Sequence, residues 1–312
     1  MNDRLPQFRT PIDVDGFGTL DIHFVHSKSS NANAIPLLFL HGWPGSFVEA
    51  YKILNPLNEA GFDVVAPSLP GYGFSSYTNK PGFKQDQHAE TFHKLMQRLG
   101  YEKYVVQGGD WGSVLARAMA ILYSDSIQAI HINILLMDKP HLGKEPEYTA
   151  IEKKFLERTE WYKTGEIAYA YLHATKPLKL GFGLHDSPVA MLAWMADKLF
   201  LWTDDYPWTH DLIITWTLLH YFPGPTTAVA MYHENPVDDI IRDGLAARHY
   251  VKVPTGVSLF PKELSLVPRS WAETKVNVAS WDVHERGGHF AAWESPTELV
   301  SDVDRFFKSV WN

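Results

Sequence analysis

The chain has 312 residues, 45% of them hydrophobic and 13% aromatic, enough to bury roughly three quarters of its unfolded surface around an enclosed pocket. A net charge of −8 leaves no basic footprint, which sets nucleic acid aside as a partner. With no cysteine, disulfides, thiolate catalysis and cysteine-ligated metal are excluded.

The N-terminal stretch Met1 to Gly16 has no positively charged start running into an apolar segment, so no signal peptide is read. No apolar run approaches the ~20 residues of a membrane-spanning helix. A soluble, cytoplasmic protein is expected, with peripheral membrane association and a homodimer left open. Ile22 to Val25 predicts a strand, and the compact apolar run Ile35 to Leu40 a buried one. After the loop His41-Gly42-Trp43-Pro44-Gly45, helical spacing covers Phe47 to Leu57. Phe62 to Ala66 is the next strand, closed by Pro67 and the turn Gly71-Tyr72-Gly73, which no helix follows in the register of a phosphate loop. A helix is predicted over Phe92 to Leu99, a strand over Tyr104 to Gln107, a helix from Gly112 to about Tyr123, and a strand over Ile127 to Ile134.

Residues 138–240 lose strand alternation and become helical and aromatic. Strands return at Thr255 to Leu259 and Val276 to Ser280, and Pro296 to Val310 has the spacing of an amphipathic helix. Short strands alternating with helices predict a mostly parallel sheet flanked by helices. The helical block reads as a cap, residues 138–240, inserted into a core made of residues 1–137 and 241–312.

Gly108-Gly109-Asp110-Trp111-Gly112 has the Gly-x-nucleophile-x-Gly form of a strand-to-helix elbow, and its flanks are the predicted strand and helix. Together with those flanks and the partners below, it leads to the expectation of an α/β-hydrolase fold. Read alone, the same pentapeptide could be an ordinary turn capping a helix. Aspartate at this position narrows the chemistry. Serine opening an epoxide would end in a stable ether, whereas a carboxylate displacing oxygen or halide at saturated carbon forms an ester that water can cleave.

Among fifteen histidines, His289 stands out in Gly287-Gly288-His289-Phe290, after the last predicted strand and before the final helix. It is the expected base. Glu263, just past the strand Thr255 to Leu259, is the expected partner that orients the imidazole, with Asp282 as the rival. The loop after Leu40 can offer the Trp43 amide, together with that of Trp111, to a developing oxyanion, while His41 supports the loop. No metal-binding spacing is found.

His41-Gly42-Trp43-Pro44-Gly45, Gln107 to Ser113, Ala174-Thr175-Lys176-Pro177, Asp186-Ser187-Pro188 to Trp202-Thr203 and Gly287 to Ala292 together resemble epoxide hydrolases of the microsomal and fungal type. The resemblance runs over nearly the whole chain. It implies a nucleophile at Asp110, a base at His289 and a partner at Glu263. It also implies two cap tyrosines that donate hydrogen bonds to the epoxide oxygen, here Tyr169 (with Tyr171 as its near rival) and Tyr232. Members usually carry a longer N-terminal region, of which Leu5-Pro6-Gln7-Phe8 resembles the end, so a shortened one is expected.

The expected reaction turns a hydrophobic epoxide and water into a vicinal diol through an aspartyl ester, with no cofactor. Trp43, Trp111, Tyr169 and Tyr232 would line the pocket, and Trp194, Phe200, Trp202 and Trp208 would make the cap apolar. A haloalkane dehalogenase shares the aspartate elbow but would not require the tyrosines. An ester or lactone hydrolase would favour serine, and a non-catalytic ligand-binding protein would not need the set of catalytic groups.

Overall fold

A computed structural model describes residues 4–144 and 146–311. Eight strands form one sheet in the order β1-β2-β4-β3-β5-β6-β7-β8: β1 (Gln7–Val14), β2 (Gly18–Ser27), β3 (Ile35–Leu40), β4 (Phe62–Pro67), β5 (Tyr104–Gly108), β6 (Ile127–Ile132), β7 (Val251–Leu259) and β8 (Val276–Val283). β1 and β2 form an antiparallel edge, and β4, β3, β5, β6, β7 and β8 run parallel. Every residue of β5 is buried, and β3 and β4 nearly so, as parallel strands covered on both faces require.

The chain passes from β3 outward to β4, then returns to β5 on the other side of β3. This reversal is a topological switch point, where loops at the carboxyl ends of neighbouring strands diverge and leave a crevice. Leu40 pairs with Gly108 at those ends, so the loops after β3 and β5 start side by side.

Between β6 and β7 the described residues contain no strand. They form the helices Ala150–Trp161, Ala168–Thr175, Pro177–Asp186, Pro188–Leu201, His210–Tyr221 and Pro225–Glu234, with a π-turn at Tyr162–Glu166. No helix among the described residues is long and apolar enough to cross a membrane.

The predicted strands and the final helix Pro296–Val310 are present. β1 was not anticipated, because its sequence carries Pro11 and polar side chains that stay partly exposed. A strand with proline is tolerated at a sheet edge. The predicted helix Phe47 to Leu57 divides into a 3₁₀ turn, Phe47–Tyr51, and a helix, Leu54–Ala60. Pro56 has no N–H to bond the carbonyl one turn back, so a continuous helix would lose that bond.

Candidate active site

β5 delivers Asp110 to the switch point, and the helix Trp111–Leu122 starts immediately after it. Asp110 has φ 48° and ψ −127°, a backbone conformation that L residues other than glycine rarely adopt. It occupies the capping position of this helix, yet its side chain makes no capping hydrogen bond. The carboxylate is turned outward instead. Gly112 permits the turn: a β-carbon there would lie 2.0 Å from the Leu40 carbonyl oxygen. Gly42 clears the nucleophile itself, since its β-carbon would lie 1.8 Å from Asp110 Oδ1.

The Trp43 N–H donates to Asp110 Oδ1 at 2.8 Å. Trp111 is the first residue of the helix, so its N–H has no intrahelical acceptor. His41 is fixed in place as expected. Its Nδ1 donates to the Gly42 carbonyl at 3.1 Å, and its Nε2 accepts the Leu69 N–H at 3.2 Å. Burial lowers its pKa to about 3, so it is a neutral strut.

On the other side of Asp110, His289 Nε2 lies 3.4 Å from Oδ2. Its Nδ1 donates to Glu263 Oε1 at 2.5 Å. These two residues meet because the loops after β7 and β8 stay aligned beyond the strands, through a bridge between Lys262 and Gly288. Glu263 is wholly buried and also accepts hydrogen bonds from the Leu264 N–H at 2.7 Å and Asn133 Nδ2 at 3.2 Å. Gln107 Nε2 in turn donates to Asn133 Oδ1 at 3.1 Å. Satisfied acceptors of this kind offset the cost of burying a carboxylate. Burial alone would lower the His289 pKa, but the charges of Glu263 and Asp110 more than reverse this and raise it to about 10. The resting imidazole is therefore an imidazolium held between two carboxylates.

Asp282 takes no part. It lies on β8 and pairs with Arg305 at 2.6 Å.

Tyr169 and Tyr232 are both buried, with ring centroids 5.9 Å apart. Tyr169 stacks on Trp43 at 5.1 Å, and Tyr232 meets Trp111 edge to face at 5.0 Å. Burial raises both phenols well above their ordinary pKa, so each keeps its proton and remains a donor. Tyr171 is half exposed and does not compete. Tyr162, from the π-turn, places its hydroxyl 3.3 Å from that of Tyr169.

Two cavities meet at the nucleophile. The first is lined by Asp110, Trp111, the three tyrosines and aliphatic side chains including Val114, Ile134, Ile167 and Ile240. The second, smaller one is lined by Gly42, Trp43, Glu49, Asn133 and His289 among others. Asp110 is the one residue common to both. Two phenols therefore face one side of the carboxylate and an imidazole the other. Such an arrangement can displace a leaving oxygen on one side and activate water on the other.

Residues 1–50 match the family described as epoxide hydrolase N terminus, and residues 35–203 the family described as alpha/beta hydrolase fold. The chain is 33% identical to epoxide hydrolase 1 of Sus scrofa over 97% of its own length and 74% of that protein's. The chain belongs to the epoxide hydrolase family. Epoxide hydrolysis, a hydrolase activity, is what this membership assigns to it.

Solved structures of the family agree. The Aspergillus niger epoxide hydrolase superposes with a TM-score of 0.89 at 38% identity, covering 99% of this chain and 80% of that one. The juvenile hormone epoxide hydrolase of Bombyx mori gives 0.85 at 32% identity, with coverage of 99% and 80%.

The structure brings all five anticipated side chains, with the Trp43 and Trp111 backbone, to one place in this family member. Trp194, Phe200, Trp202 and Trp208, expected to make this helical region apolar, line neither cavity. Phe200 is exposed, Trp208 packs against Trp216 and Trp293, and Trp194 donates to His173. Trp202 is buried beside Tyr169 and His289 but lines neither of the two cavities. The pocket wall is mainly aliphatic. Sequence reading missed Tyr162, Asn133, Gln107 and Glu49, none of which belongs to a motif that its neighbours announce.

Proposed function

We propose that this enzyme converts a hydrophobic epoxide to a vicinal diol in two steps through an ester on Asp110. The observation that carries the reading is that Asp110 alone is shared by a tyrosine-lined apolar cavity and a histidine-lined one. In the first step an Asp110 oxygen attacks one epoxide carbon and the carbon–oxygen bond of the ring breaks. Tyr169 and Tyr232 hydrogen-bond to the oxygen as it gains charge, and a phenol proton converts it to a hydroxyl. Burial keeps that proton available until it is needed.

Esterification removes the negative charge that lay 3.4 Å from His289 Nε2. One of the two charges that raise the His289 pKa is thereby lost, so the imidazolium gives up its proton, which replaces the one the phenol has donated, and becomes a base. It then takes a proton from water, which attacks the ester carbonyl carbon. The Trp43 and Trp111 amides hold the oxyanion, an effect typically worth about 2.7–4 kcal/mol per donor. Collapse expels the diol oxygen, which takes the proton from His289, and the carboxylic acid left on Asp110 passes its proton to the imidazole, restoring the carboxylate and the imidazolium. Glu263 keeps Nδ1 protonated throughout and balances the imidazolium charge.

In this reading residues 138–240 act as a cap that carries the tyrosines over the carboxyl edge of the sheet. The aliphatic lining of the larger cavity supports an apolar substrate body.

A panel of aryl, terminal and trans-disubstituted epoxides, assayed for diol, tests the activity. At least one class should be turned over by the wild-type enzyme and none by Asp110→Ala. Diol formation that persists in Asp110→Ala, or no turnover anywhere in the panel, would overturn the proposal.

A further inference from the structure

Glu49 is a buried acid that the two-step reaction as described does not use. It lies on the turn Phe47–Tyr51 and is buried, although an unpaired glutamate normally stays in water. The Ser46 backbone N–H is close enough to favour its charged form. A carboxyl has acceptor capacity beyond one such neighbour. The carboxyl is packed so closely over the chain that a β-carbon on Gly45 would lie 1.8 Å from Glu49 Oε1.

The cavity that Glu49 lines is the one that also holds Gly42, Trp43, Asp110 and His289. The centre of a water-sized sphere can move through about 10 Å³ of it, about the room that a single water needs. In the proposed reaction the substrate occupies the other cavity at Asp110, the one with the tyrosines. The water that cleaves the ester must therefore arrive on the Glu49 side, within reach of His289.

We propose that Glu49 orients the hydrolytic water against the Asp110 ester in the second half-reaction. One water proton points to His289 Nε2, the other is accepted by the Glu49 carboxyl, and a lone pair faces the Asp110 carbonyl carbon. A reacting water fixed at two points is held near its attack geometry, and loss of one anchor slows attack without touching the alkylation step. Burial raises the Glu49 pKa to about 8, against a smaller opposing effect of His289. At neutral pH the group is therefore mostly uncharged and adds no full third carboxylate charge beside Asp110 and Glu263.

The inference rests on the two-step reading of the reaction, and the test separates the two. Rapid-quench mass spectrometry of the intact protein with styrene oxide follows both formation and decay of the adduct. Glu49→Leu should form it within about twofold of the wild-type rate, which also shows that the variant is folded. Decay should be about 10–100-fold slower, the adduct should accumulate, and kcat and KM should fall together. Glu49→Gln keeps a neutral acceptor of the same shape and should restore decay to within about threefold of wild type. Decay of the Glu49→Leu adduct at the wild-type rate, or formation slowed as much as decay, would overturn the role of Glu49 alone. Absence of any adduct in both wild type and His289→Gln would instead overturn the two-step reading, and this inference with it.

Discussion

His289→Gln is expected to convert the enzyme into a single-use reagent: one equivalent of epoxide is consumed and remains attached to Asp110. The nucleophile, Trp43 N–H and both tyrosines are untouched by this change, so alkylation continues. Water activation is lost, and general-base catalysis of this kind is worth about 10²–10⁴-fold in rate. Steady-state turnover should fall by about that factor. Intact-protein mass spectrometry should show a stoichiometric increase equal to the epoxide mass, and peptide mapping should place it on Asp110. Glutamine can still accept the Trp202-facing backbone geometry at this position, because that contact uses the His289 N–H and the Trp202 carbonyl, 2.9 Å apart. A variant that loses turnover without accumulating an adduct would assign His289 to the first step instead.

The second large effect lies with the tyrosines. Removing both hydroxyls, in Tyr169→Phe with Tyr232→Phe, should slow alkylation by at least about 10³-fold, given that one lost donor to a developing oxyanion typically costs about 10²–10³-fold. Each single variant should lose less, since one donor remains. Phenylalanine preserves the ring of Tyr169 on Trp43 and that of Tyr232 against Trp111, so stability should change little. The measurement is the single-turnover rate of adduct formation, run in a His289→Gln background so that decay does not interfere. A double variant that alkylates at the parent rate would remove the feature that favours an epoxide over an alkyl halide.

The elements that position this site were legible in sequence to different degrees. The Asp110 elbow is contiguous, and its glycines are demanded by close backbone approach, as the 2.0 Å clash of a Gly112 β-carbon with Leu40 shows. His289 was readable from its place after the last strand. Glu263 could be separated from Asp282 only in part, because both follow or end a strand. The alignment of Lys262 with Gly288 and the ion pair of Asp282 with Arg305 decide between them.

Tyr169 and Tyr232 came from resemblance, since buried tyrosines in an aromatic helical block carry no spacing signal of their own. Gln107 lies on β5 and Asn133 just past the end of β6, and only the sheet register brings them behind Glu263. Glu49 was hidden for a different reason: Ser46-x-x-Glu49 reads as a helix start, which accounts for the residue locally and gives no reason to look further. For the aromatic residues of 138–240 the sequence left two readings open, an apolar pocket or packing within the helical block. They pack against one another, and the pocket is walled by aliphatic side chains from helices, strand ends and loops.

The central claim is that Asp110 is consumed and regenerated in each cycle, and one turnover in heavy-oxygen water addresses it directly. Water that cleaves the ester at its carbonyl carbon leaves its oxygen on the carboxylate, while the diol departs with an oxygen that Asp110 supplied. Mass analysis of the Asp110 peptide should therefore show one heavy oxygen, and the diol from that first turnover should show none. Heavy oxygen in the first-turnover diol with an unlabelled Asp110 would mean that water opens the epoxide directly, and would contradict the account.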